Sequence, residues 1–122
     1  MVINERARSN ENPTILIDSI AITDLDKPLV IAGIPAFNEE KTIAKVVLEA
    51  QKYAQFVVVC DDGSTDMTGE IAGRLGALVV RHERNLGYGS ALQSLFKEAR
   101  NLKADMLAVS YTHLTLPTIL LV

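Results

Sequence analysis

Residues 56–66 read Phe56-Val57-Val58-Val59-Cys60-Asp61-Asp62-Gly63-Ser64-Thr65-Asp66. The run begins with apolar, mostly β-branched residues, which is typical of a buried strand. Two carboxylates then stand at the end of that strand, before a glycine and a Ser/Thr/Asp cluster that can cap a helix. Open α/β sheets bind ligands at this position, where a carboxylate can accept nucleobase N–H bonds, hold a metal or take a phosphoryl group. A turn that only caps a helix is the alternative, but capping needs one acid and this turn has three.

The composition limits the chain to one domain. It has 122 residues, 48% of them hydrophobic, which is enough for a real core. The net charge is −3 without a basic run, so the electrostatic footprint of a nucleic-acid-binding protein is missing. The single cysteine, Cys60, excludes an internal disulfide and is expected in the core. The polar N-terminus does not resemble a signal peptide and no apolar run reaches membrane-spanning length, so we expect a cytoplasmic location.

Strands alternate with helices along the chain. This alternation predicts an α/β fold, with one open parallel sheet, right-handed crossovers and helices on both faces. The predicted strands cover residues 29–34, 56–60, 77–81 and 106–110, in the spatial order third, second, first, fourth. A polar lead over residues 1–27 precedes them, and within it residues 14–23 are ambiguous between a strand and a loop.

Three helices are predicted from apolar residues at helical spacing. The first begins at Asn38, which can cap it, and has Glu39 and Glu40 in its first turn. Its apolar stripe consists of Ile43, Val46, Val47, Ala50 and Tyr53. The second covers residues 66–75, is weakened by two glycines and ends before Gly76; its apolar face is Met67, Ile71 and Leu75, and its glycines are Gly69 and Gly73. The third covers residues 88–101.

Loops follow the first three strands and therefore meet at one edge of the sheet. The first loop spans residues 35–39 and should offer free N–H groups of a helix start to an anion or ribose. The second contains Asp61 and Asp62. The third spans residues 82–91, where two glycines allow close backbone approach, Asn85 can hydrogen-bond, and His82 or Arg84 can offset phosphate charge. Each loop alone is weak evidence, but their convergence predicts a binding site.

Three motifs, in this order and spacing, resemble the family-2 glycosyltransferases, in the branch of dolichyl-phosphate mannose or glucose synthase-like enzymes. They are Ile34-Pro35-Ala36-Phe37-Asn38-Glu39-Glu40, Val59-Cys60-Asp61-Asp62-Gly63-Ser64-Thr65-Asp66 and His82-Glu83-Arg84-Asn85-Leu86-Gly87-Tyr88-Gly89-Ser90-Ala91-Leu92. The resemblance covers residues 28–109. It implies a GT-A nucleotide-diphospho-sugar-binding fold that transfers a sugar from a UDP- or GDP-sugar with inversion, using Mg²⁺ or Mn²⁺. A polyprenyl-phosphate acceptor is suggested by the branch alone.

The resemblance also implies nucleotide-binding residues. Pro35, Ala36 and Glu39 would line the nucleoside pocket, with Phe37 in the same loop. Asp62 would accept the N–H of the base, and Asn85 with Gly87 would border the donor site. Asp61 stands at the more variable first position of the acidic pair. No catalytic residue and no metal ligand is assigned.

The chain departs from the family after residue 109. Family members carry an Asp-x-Asp motif there that holds the metal against the diphosphate, but here no acid follows Asp105. A hard cation needs oxygen ligands, so His113 alone is a poor substitute. The acceptor half and the catalytic base of the family are also missing. We therefore predict a truncated domain in which residues 28–109 bind the nucleotide-sugar, residues 110–122 are not the native continuation, and the chain is inactive alone. Membrane association of an intact parent is left open.

Phosphotransfer and non-catalytic nucleotide binding are the two alternative classes of function. A haloacid-dehalogenase-type phosphatase needs an aspartate where Cys60 stands, and a receiver-type phosphoacceptor would have its acidic pair after the first strand. Both phosphotransfer alternatives are therefore disfavoured. A non-catalytic nucleotide-binding or interaction module stays open, because the missing Asp-x-Asp supports it directly.

Overall fold

The computed structural model describes residues 27–112 and 117–122, which contain one five-stranded sheet. Its strands are β1 (Val30–Ala36), β2 (Phe56–Asp61), β3 (Leu78–Arg81), β4 (Met106–Val109) and β5 (Thr118–Leu121). The order is β3-β2-β1-β4-β5, with β1 to β4 parallel and β5 antiparallel to β4. The predicted order of the first four strands is confirmed. The fifth strand was not predicted and makes the sheet mixed. The ambiguous segment 14–23 and all but the last residue of the polar lead lie outside the described residues.

Helices connect the parallel strands. They are α1 (Ile43–Ala50), α2 (Thr68–Arg74) and α3 (Tyr88–Asn101). The predicted span of α3 is confirmed, and α2 is shorter at both ends than predicted, which leaves Met67 outside the helix and 49% exposed. Within the part of the chain that the structure describes, no helix has the length and apolarity needed to cross a membrane.

The predicted start of the first helix at Asn38 is wrong. Asn38 has a φ of +52°, in the left-handed region that an α-helix cannot use. The carbonyl of Glu39 instead accepts the N–H groups of Thr42 and Ile43 at 3.0 and 2.8 Å, which forms a turn before α1. The helix also ends at Ala50, so Tyr53 lies beyond it and is exposed rather than part of the buried stripe.

Two apolar clusters cover the two faces of the sheet, because alternate strand residues point to opposite faces. Helices α1 and α2 pack on one face, where the buried residues include Ala32, Ile34, Val57 and Val59 together with Ile43, Val47 and Ala72. Helix α3 packs on the other face, where they include Ile31, Val58, Cys60 and Leu107 together with Ala91, Leu95 and Ala99. The predicted arrangement of helices on both faces and the predicted core position of Cys60 are confirmed.

Strand β1 continues through Pro35 to Ala36, two residues further than predicted. The carbonyl of Gly33 accepts the N–H of Ser110, and strand alternation points position 35 to that same side. Strand β4 ends opposite Gly33, at Val109, so position 35 lies beyond the paired part of that side. A proline at position 35 therefore removes no hydrogen bond between β1 and β4. On the other side of β1, Pro35 lies opposite Cys60 of β2.

The turn after α2 follows the predicted glycine signal. Gly76 has a φ of +99°, which a glycine adopts without a steric penalty. Its N–H bonds to the carbonyl of Gly73 at 3.1 Å, and the N–H of Ala77 bonds to the carbonyl of Ala72 at 3.1 Å. This pair of bonds is a Schellman motif, which ends the helix and leads directly into β3.

Candidate functional site

A cleft of about 260 Å³ opens at the carboxyl ends of the parallel strands, between the loops that follow β1, β2 and β3. Its lining is Pro35, Ala36, Phe37, Glu39, Asp62, Asn85, Gly87, Tyr88, Ala91, Tyr111 and Thr112. Every residue predicted to bind a nucleotide belongs to this lining except Asp61. The parallel topology therefore brings together residues that are separated by up to 52 positions in the chain (from 35 to 87).

The first and second loops are joined by side chains. The Asn38 N–H donates to Ser64 Oγ at 2.8 Å, and Asn38 Oδ1 accepts the N–H of Thr65 at 2.9 Å. The left-handed backbone of Asn38 positions its amide for this exchange, since asparagine tolerates that conformation better than most residues. The first loop, which forms one wall of the cleft, is thus held in place by the turn of residues 61–65.

The backbone N–H groups of Asn38, Glu39 and Glu40 already have acceptors within the protein. Glu39 N–H donates to Thr68 Oγ1 at 2.8 Å, and Glu40 N–H donates to Asp66 Oδ2 at 3.2 Å. Glu40 returns the contact, because its Oε1 accepts the N–H of Met67 at 3.0 Å. These N–H groups are therefore not free for the anion or ribose that the sequence predicts at this loop. A ligand at this wall meets side chains, above all the carboxylate of Glu39.

Asp62 joins the second loop to the third. Its Oδ1 accepts His82 Nδ1–H at 2.7 Å and the Leu86 N–H at 2.9 Å, while its Oδ2 accepts the Gly87 N–H at 2.9 Å. Only 4% of the residue is exposed. Burial raises the pKa of the Asp62 carboxyl, but these hydrogen bonds outweigh burial and hold the pKa below its ordinary value. Of roughly four acceptor positions on a carboxylate, one on Oδ2 stays available to the cleft.

Gly63 lets the second and third loops touch through their backbones. It has a φ of +79°, and a Cβ placed there would overlap the backbone carbon of Arg84 and the backbone nitrogen of Asn85. No larger residue fits without moving the third loop away from Asp62. The glycine after the acidic pair is therefore required by the contact between the loops as well as by the turn.

The two residues predicted to offset phosphate charge, His82 and Arg84, lie outside the cleft lining. His82 turns inward, with Nδ1 on Asp62 and Nε2 at 2.8 Å from Ser94 Oγ on α3. Arg84 is exposed. The thiol of Cys60 lies 3.7 Å from His82 Nε2, and burial, followed by the negative charge of Asp62, raises its pKa to about 11. Cys60 is thus a protonated core thiol.

An aromatic pair forms the wall of the cleft at α3. The rings of Tyr88 and Tyr111 are tilted with centroids 5.6 Å apart, and their hydroxyl groups are hydrogen-bonded. The sequence interpretation did not assign either residue to the site. Tyr88 lies between the two glycines of the third motif, so its place could have been found from that motif. Tyr111 follows β4, where the family resemblance predicts carboxylates and gives no role to an aromatic residue.

The glycosyl transferase family 2 model matches residues 32–102, which is more than half of the chain. The chain belongs to glycosyl transferase family 2. The matched range contains all three loops of the cleft and ends just after α3. The family predicted from the three motifs is thereby confirmed.

Curated relatives of this family 2 chain include named transferases. An uncharacterized protein of Methanocaldococcus jannaschii is 45% identical over 73 residues, 58% of this chain and 30% of the relative. A UDP-N-acetylglucosamine–dolichyl-phosphate N-acetylglucosaminyltransferase of Methanococcus voltae is 34% identical over 97 residues, 64% of this chain and 38% of the relative. A dolichyl-phosphate hexose transferase of Haloferax volcanii is 40% identical over 71 residues, 57% and 30% respectively. The chain spans about a third of the length of the curated relatives it matches.

A solved structure shows the same fold. Glucosyl-3-phosphoglycerate synthase from Mycobacterium tuberculosis, in complex with Mn²⁺, uridine diphosphate and phosphoglyceric acid, matches with a TM-score of 0.58 at 27% identity. The match covers 70% of this chain and 33% of that chain. The predicted GT-A-like fold of this family 2 chain is thus confirmed.

Asp61 is the predicted site residue that the structure keeps away from the cleft. It is fully buried, and its Oδ1 accepts the Ser64 N–H at 3.0 Å. Its Oδ2 lies 3.4 Å from Nη2 of Arg81, next to α2, and has no hydrogen bond. Neighbouring residues at a strand end point to opposite sides, so Asp61 and Asp62 serve different surroundings. Asp61 shapes the turn, while Asp62 faces the cleft.

The divalent metal implied by the family does not fit the residues of this cleft. Within residues 27–112 and 117–122, no group of three or more His, Cys, Asp or Glu could hold a metal ion. The carboxylates in the lining are Glu39 and Asp62, and three N–H donors already occupy Asp62. Strand β4 ends at Val109 and is followed by Ser110 and Tyr111, which supply no carboxylate. Mg²⁺ and Mn²⁺ require several oxygen ligands, which the described residues of this cleft do not supply.

Proposed function

We propose that this chain is the donor-binding half of an inverting glycosyltransferase, and that its cleft takes the nucleoside diphosphate of a UDP- or GDP-sugar. The observation that carries the proposal is the convergence of seven separately predicted residues in one cleft of about 260 Å³. The cleft lies at the carboxyl ends of parallel strands, where open α/β sheets bind nucleotides. The solved relative from Mycobacterium tuberculosis, crystallised with uridine diphosphate, supports the same class of ligand.

Each side of the cleft has a role in this proposal. Pro35, Ala36 and Glu39 line the nucleoside side, and Phe37, which is 44% exposed, offers an aromatic face at the rim. Asp62 accepts an N–H of the base at the free position of Oδ2. Asn85 and Gly87 border the donor, where a Cβ at position 87 would meet nothing within 4 Å and so leaves open space for a ligand. The site binds and orients the donor, and it supplies no catalytic base.

The intact enzyme is proposed to transfer its sugar to a polyprenyl phosphate. Two relatives are named as dolichyl-phosphate transferases, which supports this class of acceptor. We place the donor site in the cytoplasm and assign the metal ligands, the acceptor site and the catalytic base to parts that this chain does not carry. We propose further that residues 110–122 are not the native continuation after β4. In support, β5 leaves apolar side chains at the edge of the sheet, since Ile119 is 53% and Leu121 is 81% exposed.

A nucleotide titration tests donor binding. Calorimetry should show that UDP or GDP binds the 122-residue chain, and Asp62→Ala should weaken binding about tenfold to a hundredfold, because a charged hydrogen bond contributes about 1.5–3 kcal/mol. Glu49→Gln, which removes an exposed carboxylate on α1, is the matched control and should bind as the parent does. If neither UDP nor GDP binds at millimolar concentration, the proposal is contradicted.

A transfer assay tests the proposed inactivity of the chain alone. No sugar should pass from any nucleotide-sugar to a polyprenyl phosphate, with or without Mn²⁺, while a chain extended by a family-like Asp-x-Asp segment and acceptor half should be active. A non-catalytic nucleotide-binding module is the second candidate, favoured by the absence of carboxylates after β4. It predicts that the extended chain also stays inactive although UDP binds.

A further inference from the structure

His82 connects the cleft to helix α3 through both ring nitrogens. Nδ1 lies 2.7 Å from Asp62 Oδ1, and Nε2 lies 2.8 Å from Ser94 Oγ. The side chain is 11% exposed, and that of Asp62 is 6% exposed. The third loop suggested only that His82 could offset phosphate charge, the family resemblance assigned it no role, and the cleft lining does not include it. Its contacts point inward, toward a residue that the ligand would touch.

The neighbours of His82 determine which nitrogen carries the proton. An ionised carboxylate only accepts hydrogen bonds, so Nδ1 must donate to Asp62. A hydroxyl can donate, so Ser94 Oγ–H can satisfy Nε2 of the neutral ring. Two titratable groups from β2 and the turn after it contact the ring: the thiol of Cys60, 3.7 Å from Nε2, and the carboxylate of Asp62. The contact from α3 is the hydroxyl of Ser94, which is neutral. The arrangement is a directed chain from Ser94 through His82 to Asp62.

The hydrogen bonds from Ser94 through His82 also fix the orientation of the Asp62 carboxylate. His82 and the Leu86 N–H both occupy Oδ1, whereas Oδ2 receives only the Gly87 N–H. Without the imidazole, Oδ1 would keep a single donor, and two backbone N–H groups alone would hold the carboxylate. The carboxylate could then turn about its terminal torsion, which is broad for aspartate. With the imidazole in place, the oxygen with the free acceptor position is the one beside Gly87, at the cleft.

We propose that His82 is a positioning residue of the donor site: it holds the Asp62 carboxylate with its free acceptor position toward the cleft, and Ser94 holds His82 in the tautomer that does so. The inference rests on the proposed function for the identity of the ligand. The hydrogen-bond chain itself does not depend on that identity. Its residues therefore allow two independent tests, one with a ligand and one without.

Binding of UDP to a pair of matched variants tests the positioning role. His82→Asn keeps an N–H donor near the position of Nδ1 and has no atom at Nε2, whereas His82→Gln reaches toward Ser94 and loses the donor to Asp62. Both variants remove the ring. The dissociation constant for UDP should stay within about threefold of the parent value in His82→Asn. In His82→Gln it should rise about tenfold or more, because one charged hydrogen bond to Asp62 is lost. Equal losses in the two variants, at equal stability in urea, would overturn the proposal.

Nitrogen-15 NMR of the histidine ring tests the chain of hydrogen bonds without a ligand. The sequence has two histidines, so the spectrum is recorded on a chain with His113→Gln, in which His82 is the remaining one. Nδ1 should be protonated, and Ser94→Ala should change the Nε2 signal while Nδ1 keeps its proton. An unprotonated Nδ1 would overturn the proposal. If the parent binds neither UDP nor GDP but Nδ1 is protonated and the Nε2 signal responds to Ser94→Ala, the proposed function fails while the His82–Asp62 contact stands.

Discussion

Nη2 of Arg81 lies 3.4 Å from Oδ2 of Asp61, a fully buried carboxylate oxygen that has no hydrogen bond. The guanidinium also lies 3.4 Å from Glu70 Oε1 and is 46% exposed. A buried carboxylate is costly unless a partner offsets its lost hydration, and Arg81 is the partner closest to this oxygen. The arginine reaches it by passing over Gly69 of α2, where a Cβ would overlap Nη2 and lie 2.5 Å from Oδ2.

Gly69→Ala should therefore destabilise the protein. Helix propensity alone predicts a gain of about 1 kcal/mol for this change. The added methyl group must displace Arg81 and crowd the buried carboxylate, so we expect a net loss of about 1–3 kcal/mol in the free energy of unfolding. Urea unfolding of the variant measures it.

Gly73→Ala is the matched control in the same helix. A Cβ at position 73 would lie 3.7 Å from Val79 Cγ2, an ordinary van der Waals contact, and Gly73 has no positive φ. Propensity should then dominate and raise stability by up to about 1 kcal/mol. A gain at both positions would show that the Arg81–Asp61 contact does not depend on Gly69.

Gly63→Ala should be more damaging than a change at any other left-handed glycine. Its Cβ would overlap the backbone of Arg84 and Asn85, which cannot move as a flexible side chain can. We expect a loss above about 3 kcal/mol, from strain at positive φ together with separation of the loops. The cleft should be lost with it, which nucleotide binding would report.

Gly76→Ala separates these two effects. Gly76 has a φ of +99°, but a Cβ there would meet only Gln51 Nε2 at 3.6 Å. Strain alone should then cost about 1–2 kcal/mol. Equal losses for the variants at 63 and 76 would mean that contact between the loops contributes nothing.

Stability should fall on the acid side through Asp62. Its folded pKa lies below its ordinary value, so the carboxylate contributes stability that is complete above the ordinary pKa and is lost as the pH falls through the lower folded pKa. Urea midpoints measured from pH 7 down to pH 2 should decline in this range. In Asp62→Asn the urea midpoint should decline less steeply with falling pH. A decline as steep as that of the parent would exclude Asp62 as the cause of the acid sensitivity.

The topology and most of the cleft were predictable because strand–helix alternation and parallel crossovers leave few arrangements. The positions of β1 to β4 along the chain and the ends of α3 follow from local apolar periodicity, which operates within each segment. The convergence of Glu39, Asp62 and Asn85 follows from the rule that parallel strands present their following loops at one edge.

Contacts between loops were not predictable from local patterns. Asn38 looked like a helix cap because its side chain can accept an N–H, and it does accept one, but from Thr65 of the second loop. Gly69 looked like a weak helix residue, since nothing local reveals that Arg81 crosses it. The inward turn of His82 depends on Asp62 and Ser94, which come from different elements. Such pairings appear only when the loops are placed in space.

We propose that the cleft between the three loops binds a nucleoside diphosphate. A titration of the nitrogen-15-labelled chain with UDP, followed by amide chemical shifts, tests it most directly. Shifts should concentrate at Ala36, Glu39, Asp62 and Gly87 and leave the larger groove of about 420 Å³ on α3, lined by Gln93, Phe96, Lys97, Arg100 and Asn101, unchanged. Shifts confined to that groove, or no shifts with millimolar UDP and none with millimolar GDP titrated in the same way, would contradict the proposed binding site.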